Sequence, residues 1–388
     1  MQDSQHATAD TPVNMAPIVA NGGARDLSTA FGANAVRLRS WEWGLVAVLI
    51  GAFVWLAPRW WKHAIPFDVP GDYRVPYRLS NDYWTYNRWL ETAAQPSSAI
   101  FLVGDSVVWG EYVAPHDTLN QYLNRENRSD RFVNAGLNGT HPLALEGLVR
   151  NYAGALRGRP VIMHCNLLWM SSPERDLQID KETDFNHPDL IPQLLPWIPP
   201  YRANGDQRLG IIVDRMFAFR GLVNHVRIAY FDRQDLQNWS IEHPYDNPFH
   251  QIRMSVECPA PHPHSPPVAW TDRGMTRQDP PWVTPESSLQ WQAMTRTIAL
   301  LRRRHNRLFV IVGPFNEHLL IASSRQRFEV LHAHVVAWLK RNSIPYYAPA
   351  PLDSKLYGDA SHPLAVGYRQ LAHMLYQDKT FQHWLRQD

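Results

Sequence analysis

Short apolar runs alternate along the chain with longer segments of helical periodicity. The runs predict buried strands near residues 99–104, 131–135, 160–166, 308–313 and 344–348. The periodic segments predict helices near 106–125, 143–156, 286–305, 325–342 and 363–376. Strands that alternate with helices in this way pair in parallel, and the helices cover both faces of the sheet. The pattern therefore predicts an α/β domain of three layers.

A longer apolar segment lies near the N-terminus. Residues 43–58 read WGLVAVLIGAFVWLAP and carry no charge. Together with Trp41, Trp60 and Trp61, the span approaches the length needed to cross a bilayer, and tryptophans at both edges are typical of a membrane interface. A cleavable signal peptide is disfavoured because roughly forty residues precede the apolar core. The alternative interpretation is a buried core helix.

These patterns divide the chain into four parts. We predict a disordered tail over 1–40, a transmembrane anchor over 41–61, a juxtamembrane linker that packs onto the domain over 62–97, and the α/β domain itself over 98–388. Residues 171–285, between the third and fourth strands, exceed what the α/β core needs and form an insertion. It contains helical patches near 208–232, a proline-rich stretch, and tryptophans that either stack on sugar rings or form a small core.

Charge and cysteine content give no indication of nucleic-acid binding, of a disulfide-stabilised fold or of a cysteine-ligated metal site. Thirty-eight basic and 36 acidic side chains give a formal net charge of +2, so nothing indicates nucleic-acid binding. Two cysteines, Cys165 and Cys258, provide neither a disulfide framework nor a metal-binding cluster. One bridge between them is conceivable in an oxidising compartment, but the position of Cys165 in an apolar strand disfavours it. No metal or organic cofactor is indicated.

A serine follows the first predicted strand directly. The run AIFLV ends in Gly104, Asp105 and Ser106, and a helix is predicted to begin there. At such a turn, unpaired backbone N–H groups favour negative charge, and a serine hydroxyl is well placed to attack an ester. Three residues recur easily by chance, so the motif gains weight only from its downstream partners.

The strongest of these partners stands near the C-terminus. Asp359 precedes His362 by three residues on one loop. A carboxylate at that spacing can accept the Nδ1–H of the histidine and leave Nε2 free to take a proton from a serine. The alternative interpretation, a histidine near a helix cap beside a solvated aspartate, loses weight because Ser106 lies upstream.

Two further candidates follow the second and third strands. Gly136 could present its backbone N–H to an oxyanion, and Asn166 its side-chain amide. Their alternatives are a turn glycine and a strand-terminating cap. After the fourth strand, Asn316 and Glu317 either contact substrate or are ordinary loop residues.

In these motifs the chain resembles the SGNH hydrolases, also called the GDSL esterase/lipase superfamily, over roughly residues 96–388. The family's Gly-Asp-Ser block corresponds to residues 104–106, its second-block glycine to Gly136, and its Asp-x-x-His to Asp359 and His362. Of the third block, Gly-x-Asn-Asp, only Asn166 survives, since His164 and Leu167 replace its other positions. The resemblance implies a flavodoxin-like sheet and a membrane-anchored bacterial enzyme.

The resemblance also implies a site and an activity. Ser106 would be the nucleophile, His362 the general base and Asp359 its orienting partner. The N–H groups of Ser106 and Gly136 and the Asn166 amide would form the oxyanion hole. We expect an extracytoplasmic serine esterase or O-acyltransferase, held by one span in the inner membrane, with its domain in the periplasm and an acylated envelope or secreted polysaccharide as substrate. The alternatives are a lipase or small-ester hydrolase, and a catalytically silent subunit of an envelope or polysaccharide export complex.

Overall fold

A computed structural model describes residues 38–181 and 186–387, so the predicted tail lies almost wholly outside the described residues. The chain divides into two units, residues 1–53 and 54–388. Helix α1 runs from Ser40 to Ala64, and an 18-residue window within it has a mean hydropathy of 1.6 with no residue buried. One N-terminal helix is thus long and apolar enough to cross a membrane.

The strands form one parallel sheet, as the alternating pattern predicted. They are β1 (Ile100–Gly104), β2 (Phe132–Gly136), β3 (Pro160–Cys165), β4 (Arg307–Val312) and β5 (Tyr346–Tyr347), in the spatial order 2-1-3-4-5. Gly104 is in register with Gly136, and Cys165 with Val312, so the carboxyl ends of four strands lie along one edge. In doubly wound sheets of this order, ligands bind at that edge.

Helices cover both faces of the sheet. One face packs against α2 (Tyr83–Ala93), α5 (Pro142–Tyr152), α9 (Leu289–Arg303) and α10 (Ala322–Arg341). The other packs against α4 (Leu119–Asn127), α11 (Ala365–Gln377) and α12 (Lys379–Leu385), the last of which the sequence did not predict. Strand β1 shows why both faces are apolar. Phe101 and Val103 point into the first core, and Ile100 and Leu102 point into the second.

The helix predicted over 106–125 was wrong in its middle. Helix α3 spans only Ser106–Trp109, and a 3₁₀ turn at Pro115–Asp117 separates it from α4. Gly110 ends α3 with φ +94°, a backbone conformation that side chains other than glycine rarely adopt. This break lets residues 111–114 pass across the carboxyl edge of the sheet instead of continuing away from it.

The segment predicted as a linker belongs to the core. Residues 62–97 contain all of α2, and Tyr73 and Tyr86 within the segment are fully buried. Tyr86 donates to the carbonyl of Ala135 on β2 at 3.0 Å. The chain is therefore integrated into the domain within ten residues of the end of α1.

The described residues of the insertion include the α-helices α6 (Gly205–Met216), α7 (Ala218–Tyr230) and α8 (Leu236–Glu242). Its proline-rich part is tied to the core by backbone hydrogen bonds, among them Trp270 N–H to Tyr357 at 2.9 Å. Trp239 and Trp270 are buried, at 4% and 7% exposure, whereas Trp197 is 61% exposed. Trp239 therefore supports the insertion's own packing, against Phe231, and Trp270 packs the insertion against Leu319 and Tyr357 of the core. Cys165 and Cys258 are both free.

Candidate active site

Ser106 begins helix α3 at the carboxyl end of β1, where the sequence placed it. The residue before it, Asp105, caps the helix by accepting the N–H of Val107 at 3.1 Å. The first N–H groups of a helix have no partner within the helix. The Ser106 N–H accordingly has no acceptor in the part of the chain that the structure describes.

The structure brings the three residues of the predicted triad together. Nε2 of His362 lies 2.7 Å from Oγ of Ser106, across 256 positions of sequence. On the other side of the ring, Nδ1 of His362 lies 2.8 Å from both carboxylate oxygens of Asp359. The hydroxyl, the imidazole and the carboxylate thus form one continuous line of hydrogen bonds, the arrangement that activates a serine nucleophile.

The electrostatics of this line suit a general base. Burial by itself would lower the pKa of His362, but the adjacent charge and hydrogen bond of Asp359 outweigh it, and the pKa is raised. Burial likewise opposes ionisation of Asp359, yet the charge of His362 and three hydrogen bonds keep the pKa of Asp359 far below its usual range. Two of those bonds come from the backbone N–H groups of Ser361 and His362. Asp359 is therefore a stable carboxylate that fixes the imidazole.

Two residues that the sequence did not single out also hold Asp359. The hydroxyl of Tyr112 donates to Oδ2 of Asp359 at 3.1 Å, and the Tyr112 ring meets the His362 ring edge-on at 5.5 Å. Arg273, from the insertion, donates to the Tyr112 hydroxyl at 3.2 Å and lies over its ring. Tyr112 follows the break at Gly110 by two residues, but its contact with Asp359 is long-range and leaves no local sequence signal.

The loop after β4 holds the backbone of the segment that carries Asp359. The side-chain amide of Asn316 donates to the carbonyl of Asp359 at 3.0 Å, and its backbone N–H donates to the carbonyl of Ala360 at 2.8 Å. Asn316 is fully buried. Of the two interpretations of this residue, the structure favours a role within the loop over direct contact with substrate.

Asp105 forms the centre of a second polar group, directly beside Ser106. It accepts from the Asn166 amide at 2.7 Å, from the Trp169 indole at 2.9 Å and from Nδ1 of His164 at 3.2 Å. Burial opposes its charge, but the hydrogen bond and charge of His164 and the bonds from Trp169 and Asn166 lower the pKa of Asp105 to about 2. Asp105 therefore ties β1 to the end of β3 through ionic and neutral hydrogen bonds.

The predicted oxyanion donors differ in how they are engaged. Asn166 uses its amide on Asp105, as above, and its Oδ1 accepts the N–H of Leu168 at 3.0 Å, so it is also a cap. The N–H of Gly136 donates to Oδ1 of Asn134 at 3.0 Å. A Cβ at position 136 would lie 2.6 Å from the Trp109 nitrogen, so the glycine is needed for the close packing of β2 against α3.

Another glycine in the same loop has a different environment. The N–H of Gly139 has no acceptor among residues 38–181 and 186–387. Gly139 was not among the residues predicted from the sequence, although it lies only three positions after Gly136. Gly139 is thus a backbone donor without a partner in the loop that follows β2.

The proline-rich part of the insertion contacts the segment that follows helix α3. Glu111, directly after Gly110, accepts two hydrogen bonds from Ser265. The Ser265 hydroxyl donates to Oε1 of Glu111 at 2.5 Å, and the Ser265 N–H donates to the Glu111 carbonyl at 3.2 Å. Glu111 also accepts from the side chain of Asn138. The proline-rich stretch is therefore fastened to the segment that carries Tyr112.

Among the described residues, no three His, Cys, Asp or Glu side chains come together in a way that would hold a metal ion. The chemistry that the arrangement itself offers is nucleophilic attack by a serine with a histidine base. No family model matches the chain, and no curated protein is similar enough to match it.

Proposed function

We propose that this protein is a serine ester hydrolase or acyl transferase. The observation that carries the proposal is the line of hydrogen bonds from Ser106 through His362 to Asp359, at the carboxyl end of β1. More narrowly, we propose an SGNH-type enzyme, anchored in the inner membrane by α1, whose periplasmic domain acts on O-acyl groups of an envelope or secreted polysaccharide.

The first half of the reaction forms an acyl-enzyme. Oγ of Ser106 attacks the acyl carbonyl carbon while Nε2 of His362 takes the hydroxyl proton. The tetrahedral intermediate then expels the alcohol oxygen of the glycan, and His362 returns the proton to it. Asp359 keeps the imidazole in the tautomer that has Nε2 free and stabilises the imidazolium that forms in between.

The second half transfers the acyl group to water or to a sugar hydroxyl. His362 removes a proton from the incoming oxygen, which attacks the acyl carbonyl. The intermediate then expels Oγ of Ser106, which takes the proton back from His362. Donors for the negative oxygen are the Ser106 N–H, the remaining amide hydrogen of Asn166 and, in our proposal, the loop of Gly136 and Gly139. The free N–H of Gly139 is the better suited of those two glycines, because the N–H of Gly136 is bound to Asn134.

The SGNH assignment and the anchoring rest on different observations. The strand order 2-1-3-4-5 and the Gly-Asp-Ser and Asp-x-x-His motifs support the first. The length and hydropathy of α1 support the second. An alkaline phosphatase fusion after residue 65 should be active if the domain lies outside the cytoplasm. Fluorescence of an unexported GFP fused to the C-terminus would instead indicate that the domain lies in the cytoplasm.

The catalytic proposal is tested by labelling with a fluorophosphonate, which reacts with activated serines. We expect the full-length protein in detergent to be labelled, and Ser106→Ala and His362→Ala to lose labelling and ester hydrolysis by several orders of magnitude. Ser240→Ala, which changes a serine on helix α8, is the matched control. Full esterase activity in Ser106→Ala would disprove the proposal.

The same preparation separates the remaining candidates. Strong turnover of long-chain esters without turnover of acylated glycans would identify a lipase. Absence of labelling in a folded protein, with an intact export phenotype in Ser106→Ala cells, would identify a silent complex subunit.

A further inference from the structure

A cavity of about 250 Å³ lies where the insertion leaves the core and rejoins it. Its wall includes Leu168, two residues after Asn166, and Ala360, two residues before His362. Ser171 and Arg175, at the start of the insertion, face it together with Gln278, from the proline-rich stretch. The two loops that carry the candidate site thus form one side of the cavity, and the insertion forms the other.

Arg175 is a solvent-exposed residue whose charge lies at the wall of this cavity. Its guanidinium makes no hydrogen bond or ion pair with any residue that the structure describes. Of the acidic side chains nearby, Asp279 in the cavity wall pairs with Arg327. Glu174 lies 3.5 Å from Lys181, and its charge also acts on Arg175 without a hydrogen bond between the two. The guanidinium is therefore available to an anion from outside the protein.

The carboxylate of Asp359 does not need Arg175 as a counter-ion. Arg175 lies close enough for the two charges to attract. However, Asp359 already accepts from His362, from two backbone N–H groups and from Tyr112. The hydrogen bonds of Asp359 therefore do not involve Arg175, and the guanidinium donors of Arg175 remain unused.

A second unpartnered group faces the same space. Ser171 is 4% exposed and lines the cavity, and its hydroxyl has no partner in the described part of the chain. A guanidinium offers two parallel N–H donors that match the two oxygens of a carboxylate, and a nearby hydroxyl can add a third hydrogen bond.

We propose that this cavity binds the carboxylate of an acidic sugar residue, so that the preferred substrate is an O-acylated polyanionic glycan of the uronic-acid type. The sugar that carries the carboxylate would lie beside the one whose ester is presented to Ser106. The preference for an acidic ester rests on the proposed esterase function, whereas binding of the carboxylate does not.

Binding can be measured without turnover, in full-length Ser106→Ala protein in detergent. Calorimetry with an unacetylated oligogalacturonate should show binding that weakens with salt, and a neutral xylo-oligosaccharide of equal length should bind at least tenfold more weakly. Adding Arg175→Gln should weaken oligogalacturonate binding by about ten- to a hundredfold. Arg175→Lys should fall in between, because it keeps the charge but loses the planar pair of donors.

Arg303→Gln is the charge-matched control, since Arg303 is an exposed arginine on α9 without a partner among the described residues. Equal affinity for acidic and neutral oligomers, or no effect of Arg175→Gln, would overturn the proposal. Tighter binding of a sulfated oligosaccharide than of the oligogalacturonate would overturn the assignment to a carboxylate.

The catalytic consequence is measured in the active protein. In Arg175→Gln, the ratio of kcat/KM on acetylated polygalacturonate to kcat/KM on acetyl-xylan should fall at least tenfold, and in Arg303→Gln it should not change. An equal fall on both polymers, with a shifted pH profile, would show that Arg175 serves Asp359 instead. If Ser106 proves inert to fluorophosphonate, the esterase proposal fails, while the calorimetry still decides whether the cavity binds acidic sugars.

Discussion

The carboxylate of Asp105, the residue directly before Ser106, lies 3.2 Å from Nδ1 of His164 inside the core. Nε2 of the same ring lies 3.0 Å from the carbonyl oxygen of Gly313. Both neighbours are hydrogen-bond acceptors, so the ring links two acceptors inside the core. A buried ion pair thus joins the ends of β1, β3 and β4 at the place where the candidate site is built.

This pair should matter for stability. His164→Ala leaves the Asp105 charge buried without its ionic partner, and we expect the free energy of unfolding to fall by about 3–5 kcal/mol. Arg220→Ala, which breaks an exposed pair with Asp214, should cost under about 1 kcal/mol. Urea denaturation measures both. The pKa of Asp105 is lowered from its ordinary value of 3.8 to about 2. The pair therefore contributes fully to the free energy of unfolding above pH 3.8, and this contribution is lost as the pH falls toward 2. Equal costs for the two variants would contradict the ion pair.

Asn166 should show two separable effects. If its amide stabilises the oxyanion, Asn166→Ala lowers kcat by about 10²–10³-fold. Because its Oδ1 also caps the turn after β3, the variant should in addition lose about 1 kcal/mol of stability. Turnover of p-nitrophenyl acetate and chemical denaturation report the two effects. Loss of stability with kcat preserved would leave Asn166 as a cap alone.

The pH dependence of catalysis should follow His362. The imidazole must be neutral to accept the serine proton, so kcat/KM rises as the pH passes the pKa of His362. Asp359 raises that pKa, which places the acidic limb above the ordinary value of 6.5. Tyr112→Phe removes one donor from Asp359, strengthens its attraction for the imidazolium and should move the limb to higher pH. Tyr376→Phe, which removes a 3.1 Å bond to Asn127, should leave the limb in place. A limb that moves downward in Tyr112→Phe would contradict this account.

The insertion's tryptophans should divide by burial. Trp270→Ala removes a nearly buried side chain and should lower the free energy of unfolding by about 3–5 kcal/mol, with hydrolysis of small and polymeric esters falling together. Trp197→Ala, at a position 61% exposed, should change stability little. Thermal denaturation and paired assays on both substrates check this. Loss of polymer hydrolysis alone in Trp270→Ala would instead restore a sugar-stacking role.

Local patterns in the sequence determined the elements and the chemistry of single residues. Strand and helix positions follow from hydrophobic periodicity, which is a property of neighbouring residues, and so the parallel sheet and most of its helices could be predicted. The break in the helix after Ser106 was missed, because Gly110 and Pro115 act against a periodicity that continues around them. The roles expected of Ser106, Asp359 and His362 came from short motifs in which each residue's neighbours are close in sequence.

Only the tertiary structure decided what meets what across long stretches of chain. It brings Ser106 to His362 over 256 positions, and it places Tyr112 on the Asp359 carboxylate and Arg273 on the Tyr112 hydroxyl. It also buries Trp239 and Trp270 instead of exposing them to a substrate. The contacts of Arg273 and Trp270 depend on the path by which the insertion folds back onto the core. No local periodicity encodes that path, because it is set by the packing of segments far apart in sequence.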